Sequence, residues 1–276
     1  MGEDLVGGDF VVAAGQTVVL DFPTNFSYNN FTMGDNSTLI LKRNLILRAF
    51  SSLFGNNCLI EGSGAAQAAN GADQTHVPAQ AGQLDAGYNG WDGGNGQTGQ
   101  AGFNVDFHLG IHSIGSLLIR SNGGHGGNGG RGGIGGQGGG ATCLGGPGGS
   151  GGHGGKGGRA GWGGPSGQIK FQWSPIGPAW TKNFATLMRE LEAAKAHGFV
   201  SLPSGQKLFY ASPPGLTVEA TGGLAGAAGW AGFGGRGGDG VSCIGYGQPG
   251  GHVGDNGQLG EGGLPGRTYP PIVVLA

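Results

Sequence analysis

The chain has 276 residues, 70 of them glycine and 13 proline, a proportion that excludes an ordinary globular enzyme. Charged residues make up only 11% and the formal net charge is −2, so there is neither a basic field for nucleic acid nor an acidic tail. Disorder is excluded too, because a disordered chain combines high charge with few apolar residues and this one is 37% hydrophobic.

The N-terminus, Met1-Gly2-Glu3-Asp4-Leu5, has neither the basic nor the apolar region of a secretory signal, so no signal is expected in this sequence. No apolar stretch approaches the roughly 18 residues of a membrane span, so none is expected. Thr17-Val18-Val19-Leu20-Asp21 and Ser37-Thr38-Leu39-Ile40-Leu41 have β-type character, with turns at Gly34-Asp35-Asn36 and Gly55-Asn56-Asn57. Residues 1–61 therefore read as a β-solenoid-like region. Within it, Asn25-Phe26-Ser27, Asn30-Phe31-Thr32 and Asn36-Ser37-Thr38 fit the glycosylation triplet; without a signal they read as an asparagine-rich surface loop.

From Gly87 onward glycine recurs at every third position through Gly102, and further runs hold the same period from Gly123 to Gly138, Gly146 to Gly167, Gly223 to Gly238 and Gly251 to Gly266. A weaker run lies at Gly62, Ala65, Ala68 and Gly71. A period of three fits neither the α-helix nor the strand but matches an extended left-handed helix with three residues per turn. Such a helix has no internal hydrogen bonds, and its bare glycine face lets neighbours approach and exchange N–H···O=C bonds, the packing of polyglycine II. A collagen-like trimer is the competitor, but the runs hold few prolines and come in pairs.

The pairs predict three hairpins, at 62–102, 123–167 and 221–267, separated by a solenoid coil at 103–122 and by strands plus an insertion at 168–220, with a terminal strand at 268–276. The tips Ala141-Thr142-Cys143-Leu144 and Val241-Ser242-Cys243-Ile244 are alike, and each is followed by a proline and a histidine, which makes an internal repeat. The first tip is placed at Gln74-Thr75-His76-Val77-Pro78-Ala79. The fold class expected is a mainly β-solenoid base carrying a sandwich of six polyglycine II helices, with one short α-helix over 181–197. The 123–167 hairpin, nearly all Gly-Gly-X, has two bare faces per run and belongs in the middle layer. The predicted helix carries Phe184, Leu187, Met188, Leu191 and Ala194 at helical spacing, either as a cover for the base or as a docking helix.

Candidate chemistry is sparse. Ser150-Gly151-Gly152-His153-Gly154-Gly155-Lys156-Gly157 resembles a phosphate loop only superficially, because Ser150 and Gly157 occupy the positions of the first glycine and the magnesium-binding hydroxyl. His125, His153 and His252 fall on X positions of the runs with no zinc spacing, so they read as exposed residues and no metal or cofactor is expected. Cys143 and Cys243 hold equivalent tip positions, as a disulfide or as two buried thiols, while Cys58 reads as a packed apolar residue. Two candidate binding surfaces remain. One is the tip loops, with Thr75, His76 and Val77, then Thr142 and Leu144, then Ser242, Ile244 and Tyr246. The other is the outer faces, with Tyr88 and Trp91 on one side and Trp230 and Phe233 on the other, unless these rows tuck against the base.

The paired Gly-Gly-X and Gly-X-X runs over 62–102, 123–167 and 223–266 resemble the glycine-rich adhesins at the tail-fibre tips of T-even-like phages, and also the six-helix snow-flea antifreeze protein. The first resemblance implies recognition of a bacterial surface receptor, a polysaccharide or an outer-membrane protein, through the loops joining the runs. It also implies a fibre or virion protein as partner and a virion or extracellular location. The solenoid base and inserted helix depart from that family's pattern. Trp230, Phe233 and the charged Arg131, Lys156 and Arg159 depart from the flat small-residue face of an ice binder. The expectations in order are a non-enzymatic adhesion protein, a self-assembling structural subunit, an ice-binding protein and, last, a carbohydrate-cleaving solenoid enzyme.

Overall fold

The computed structural model describes residues 5–21, 25–177, 199–201, 207–210, 212–244 and 246–275, and the helix predicted over 181–197 lies outside them. Among the described residues the chain is mainly β and contains no helix. Its strands are β1 (Leu5–Val6), β2 (Asp9–Val12), β3 (Thr17–Leu20), β4 (Asn25–Met33), β5 (Thr38–Leu41), β6 (Leu45–Phe54), β7 (Cys58–Glu61), β8 (Val105–Ile114), β9 (Leu117–Arg120), β10 (Ile169–Pro175), β11 (Phe199–Ser201), β12 (Lys207–Tyr210), β13 (Leu216–Glu219), β14 (Val241–Cys243), β15 (Tyr246–Gln248) and β16 (Ile272–Leu275).

One sheet runs β1-β4-β6-β8-β10-β16-β12-β11, with β2 also paired to β4, and a second runs β13-β9-β7-β5-β3. All pairings in these two sheets are parallel except the last two of the first, β16–β12 and β12–β11. Successive passes of the chain, β2–β3, β4–β5, β6–β7 and β8–β9, each give one strand to each sheet, and β10 and β13 do the same with β11 and β12 of the first sheet between them. Early passes advance by 21 residues, as in the Asp35 Oδ1 bond from the Asn56 N–H.

Alternation decides which side faces inward. Leu45, Leu47 and Ala49 in β6, Val105, Phe107 and Leu109 in β8, and Ile169, Phe171 and Trp173 in β10 are all buried. The register stacks like on like, Leu47 beside Phe107 beside Phe171. The opposing sheet contributes Leu39, Leu41, Cys58, Ile60, Leu117 and Ile119 to the same core. Burying each such side chain is worth about 1.5–3 kcal/mol, which makes this two-sheet base the main apolar source of stability. Each pass turns before its second-sheet strand, and four of the five residues in register there, Gly15, Asn36, Asn57 and Gly215, have positive φ, while Ser116 in the β8–β9 pass does not. Asn and Gly tolerate that conformation where β-branched residues do not.

The asparagine-rich segment is not the surface loop expected from its triplets. Residues 25–33 form strand β4, with Phe26, Phe31 and Met33 buried, because its apolar side chains recur at strand spacing and outweigh the turn preference of asparagine.

Three long excursions leave this base, each at the same corner: after β7, after β9 and after β13, returning into β8, β10 and β16. The first turns later than expected. Asp85 N–H bonds to Gly82 carbonyl and run pairing continues through the Ala81 N–H bond to Gln137 carbonyl. Thr75, His76 and Val77 therefore lie along the arm and not at its tip. Proline 78 marked a turn in the sequence, but an extended run accommodates proline, which presets an extended φ.

Candidate functional site

The excursions are rooted by charge and by a buried hydroxyl. Glu61, Arg120 and Glu219 are in register at the ends of β7, β9 and β13. Arg120 Nε donates to Glu219 Oε2 at 2.7 Å, and Nη1 lies 3.4 Å from Glu61 Oε2. The hydrogen bond to Glu219 raises the already high pKa of the guanidinium. Next along the chain, buried Ser121 donates to the Phe103 carbonyl at 2.6 Å.

Beyond the root, six runs (62–82, 86–102, 123–140, 148–167, 222–239 and 250–267) lie side by side. Runs one, three and five are parallel, as in Gly71 N–H to Asn128 carbonyl and Gly129 N–H to Ala227 carbonyl; two, four and six likewise, as in Gly90 to His153 and Gly154 to Asp255. Contacts between the two sets are antiparallel, as in Gly130 to Gly94, Gly158 to Gly130 and Gly260 to Gly229. Every third N–H along a run addresses the same neighbour. The second hairpin thus lies between the first and third.

The neighbours explain the composition. Runs three and four hydrogen-bond to runs on several sides, and there two residues of each triplet are glycine. A Cβ on Gly132 would fall on the Gly155 carbonyl, and one on Gly151 on the Gly235 carbonyl. No glycine within the six runs has positive φ; Gly146, at the second tip, does. Close approach, not left-handed backbone, is what these positions require.

A second device is absent from the sequence reading. In run four the N–H groups of three X residues are received by side chains of run two: His153 by Asn89 Oδ1 at 2.9 Å, Lys156 by Asp92 Oδ1 at 2.7 Å and Arg159 by Asn95 Oδ1 at 2.9 Å. Asn70 and Asp73 do the same for Asn128 and Arg131. On the far side Leu224 and Ala227 donate to His125 Nδ1 and Asn128 Oδ1, both at 2.8 Å, and Asp255 N–H to His153 Nδ1 at 3.2 Å. His125 and His153 are exposed and also serve as acceptors in this ladder. The recurrence of Asn89, Asp92 and Asn95 at a period of three was the available signal.

At the tips the chain is covalently tied. Cys143 and Cys243 form a disulfide with Cα atoms 5.6 Å apart, closing a loop of 100 residues. Tyr246, in the two-stranded β14–β15 hairpin, donates its hydroxyl to the Cys143 carbonyl at 2.7 Å. Leu144 and Ile244, each next to its half-cystine, are fully exposed. Thr142 folds back locally, its Oγ1 accepting the Gly145 N–H at 2.9 Å, and Ser242 is exposed. Cys58 is the free, buried cysteine, and burial pushes its thiol pKa up.

The aromatic rows do not tuck against the base. Tyr88, Trp91, Trp230 and Phe233 are all exposed. Trp91 stacks on His76 with ring centroids 5.2 Å apart, which joins a residue expected at a tip to one expected on a face. On the opposite hairpin the Arg131 guanidinium lies 5.4 Å over the Phe233 ring. Arg131, Trp230, Ala231, Gly232, Phe233, Asn256 and Leu259 line an open cleft of about 500 Å³.

Among the described residues no group of three His, Cys, Asp or Glu could hold a metal ion, and no helix is long and apolar enough to cross a membrane. Comparison with protein-family models, with curated proteins and with solved structures finds no match to the chain.

Proposed function

We propose that this chain is a non-enzymatic receptor-binding or adhesion protein, a phage tail-fibre or bacterial surface component working on a virion or outside the cell. Its architecture is a β-solenoid base carrying a sandwich of six polyglycine II helices. The 21-residue register of the base and the period-three hydrogen bonds between runs support that description. The target is a bacterial surface polysaccharide or outer-membrane protein, and the base joins a fibre or virion protein.

One observation carries the reading. Leu144 and Ile244, related by the internal repeat, stand fully exposed at the far end of a rigid slab and are held beside each other by the Cys143–Cys243 bridge. Exposed aliphatic side chains that fold no core belong to a surface made to be covered. Presenting them on a fixed scaffold lowers the ordering entropy lost on contact.

The test is adsorption of the labelled chain to bacterial cells, comparing the native protein with Leu144→Ser/Ile244→Ser. Loss of at least tenfold in cell binding with an unchanged melting transition supports tip recognition. Undiminished binding of the double variant overturns it.

A self-assembling structural subunit is the second reading. The observation in its favour is that the outermost runs, 62–82 and 250–267, are bonded on their inner sides only, which leaves a row of backbone groups facing solvent, as at the edge of a sheet. Sedimentation of the tip variant separates the two: adhesion predicts that oligomeric state is independent of attachment.

A further inference from the structure

We propose that the cleft on the third hairpin is a second binding site, distinct from the tips, and that its ligand is an acidic glycan. The proposal rests on the adhesion reading for its setting but not on the tip residues for its chemistry.

Trp230 and Phe233 follow one another at the run period. On an extended helix with three residues per turn and about 3.1 Å rise, two such rings project from the same side about 9 Å apart. Trp230 is 73% exposed, so its ring has no intramolecular partner to cover it. An extended glycan offers alternate ring faces along one side, and two flat aromatic platforms on an unyielding backbone suit stacking against them. Leu259 closes the apolar floor on run six.

The polar groups in the cleft decide what kind of glycan. Arg131 lies over the Phe233 ring, and no carboxylate lies within salt-bridge distance of its guanidinium among the described residues. Asp73, the acid nearest in the ladder, receives the Arg131 backbone N–H and not its side chain. The lining contains no acidic residue. Asn256 uses its Oδ1 to accept the Gly234 N–H at 3.1 Å, which leaves its amide N–H donors for sugar oxygens. A cleft with aromatic walls, a fork of guanidinium donors and no acid to neutralise it complements a sugar carboxylate, which arginine can engage with two parallel hydrogen bonds. Lys156 and Arg159 on run four contrast with it, because both are already paired with Glu261.

The experiment is titration calorimetry of the full chain at low ionic strength against hexamers of galacturonate, of mannuronate and of N-acetylneuraminate, with a neutral glucose hexamer as control. The expected result is binding of at least one acidic hexamer at least tenfold tighter than the neutral one. Trp230→Ala should weaken it tenfold or more, and Arg131→Gln at least fivefold with a flatter salt dependence. Leu144→Ser/Ile244→Ser should leave this affinity unchanged, which keeps the test separate from that of the tips. Because Trp230 is exposed, its replacement should not move the melting transition, and that measurement accompanies the titration. No binding of any acidic hexamer, equal affinity for the neutral hexamer, or undiminished binding by Trp230→Ala overturns the proposal.

Discussion

Gly132 and Gly262 both lie in glycine-rich runs, Gly132 on the period of three and Gly262 one place before it, and their surroundings are opposite. A methyl group on Gly132 meets the Gly155 carbonyl in the middle of the slab, whereas one on Gly262 meets nothing within 4 Å. Gly132→Ala should therefore destabilise by about 1–3 kcal/mol, as overpacked sites do. Gly262→Ala, at a position without positive φ, should be neutral or stabilise by about 0.4–1 kcal/mol, because alanine restricts the unfolded chain. Midpoints of denaturant unfolding with unchanged slopes read both effects. Equal destabilisation by the two would show that neighbour contact does not set the glycine requirement.

At the scale of elements, the Asx ladder and the tip bridge make separate contributions. Asp92→Ala leaves the Lys156 N–H without its acceptor; a hydrogen bond of this kind is worth about 0.5–1.5 kcal/mol, and the loss should appear as a lower denaturation midpoint. Cys143→Ser opens a 100-residue loop, for which chain-entropy reasoning gives about 4–5 kcal/mol, read as a fall in unfolding free energy under non-reducing conditions. Under reducing conditions the native chain and the variant should coincide. The elements were legible to the extent that each kept one period. Glycine at every third residue announced the runs, their pairing and the central place of 123–167, because glycine is required wherever another backbone comes close. The first turn was misplaced because the run continues past Pro78 without its glycine period, through Gln74 to Ala81, where fewer neighbours press on it. Strand β4 was hidden because its two apolar pairs, Phe26 with Tyr28 and Phe31 with Met33, are offset by one residue, which breaks alternation at Asn29 and Asn30. The cleft was half legible: Trp230 and Phe233 stand out in the sequence, but Arg131, Asn256 and Leu259 come from two other runs and meet them only through lateral packing.

In the whole molecule nearly every stabilising contact joins residues distant in sequence. Gly130 and Gly155 in the middle are buried among runs on several sides, while Gly260 in the last run is only half-buried, although its N–H bonds inward to Gly229. Hydrogen exchange should be slowest in 123–167 and faster in 250–267, since outer elements open locally at lower free energy. Uniform protection across all six runs would mean that the slab opens only as a unit.

The three excursions leave from one corner of successive passes, and the corner before them, between β5 and β6, is closed by Lys42-Arg43-Asn44 alone. Strand order β5-β7-β9-β13 matches the stacking order of the hairpins, so that corner stands directly beneath the outer surface of the 62–82 run. The base behaves as a rack with a vacant slot: a glycine hairpin spliced in at Arg43 should dock as a further layer, thickening the blade in small-angle scattering without lengthening it. Breadth of the projecting blade is then a matter of how many slots are filled, and the composition of the rack itself need not change.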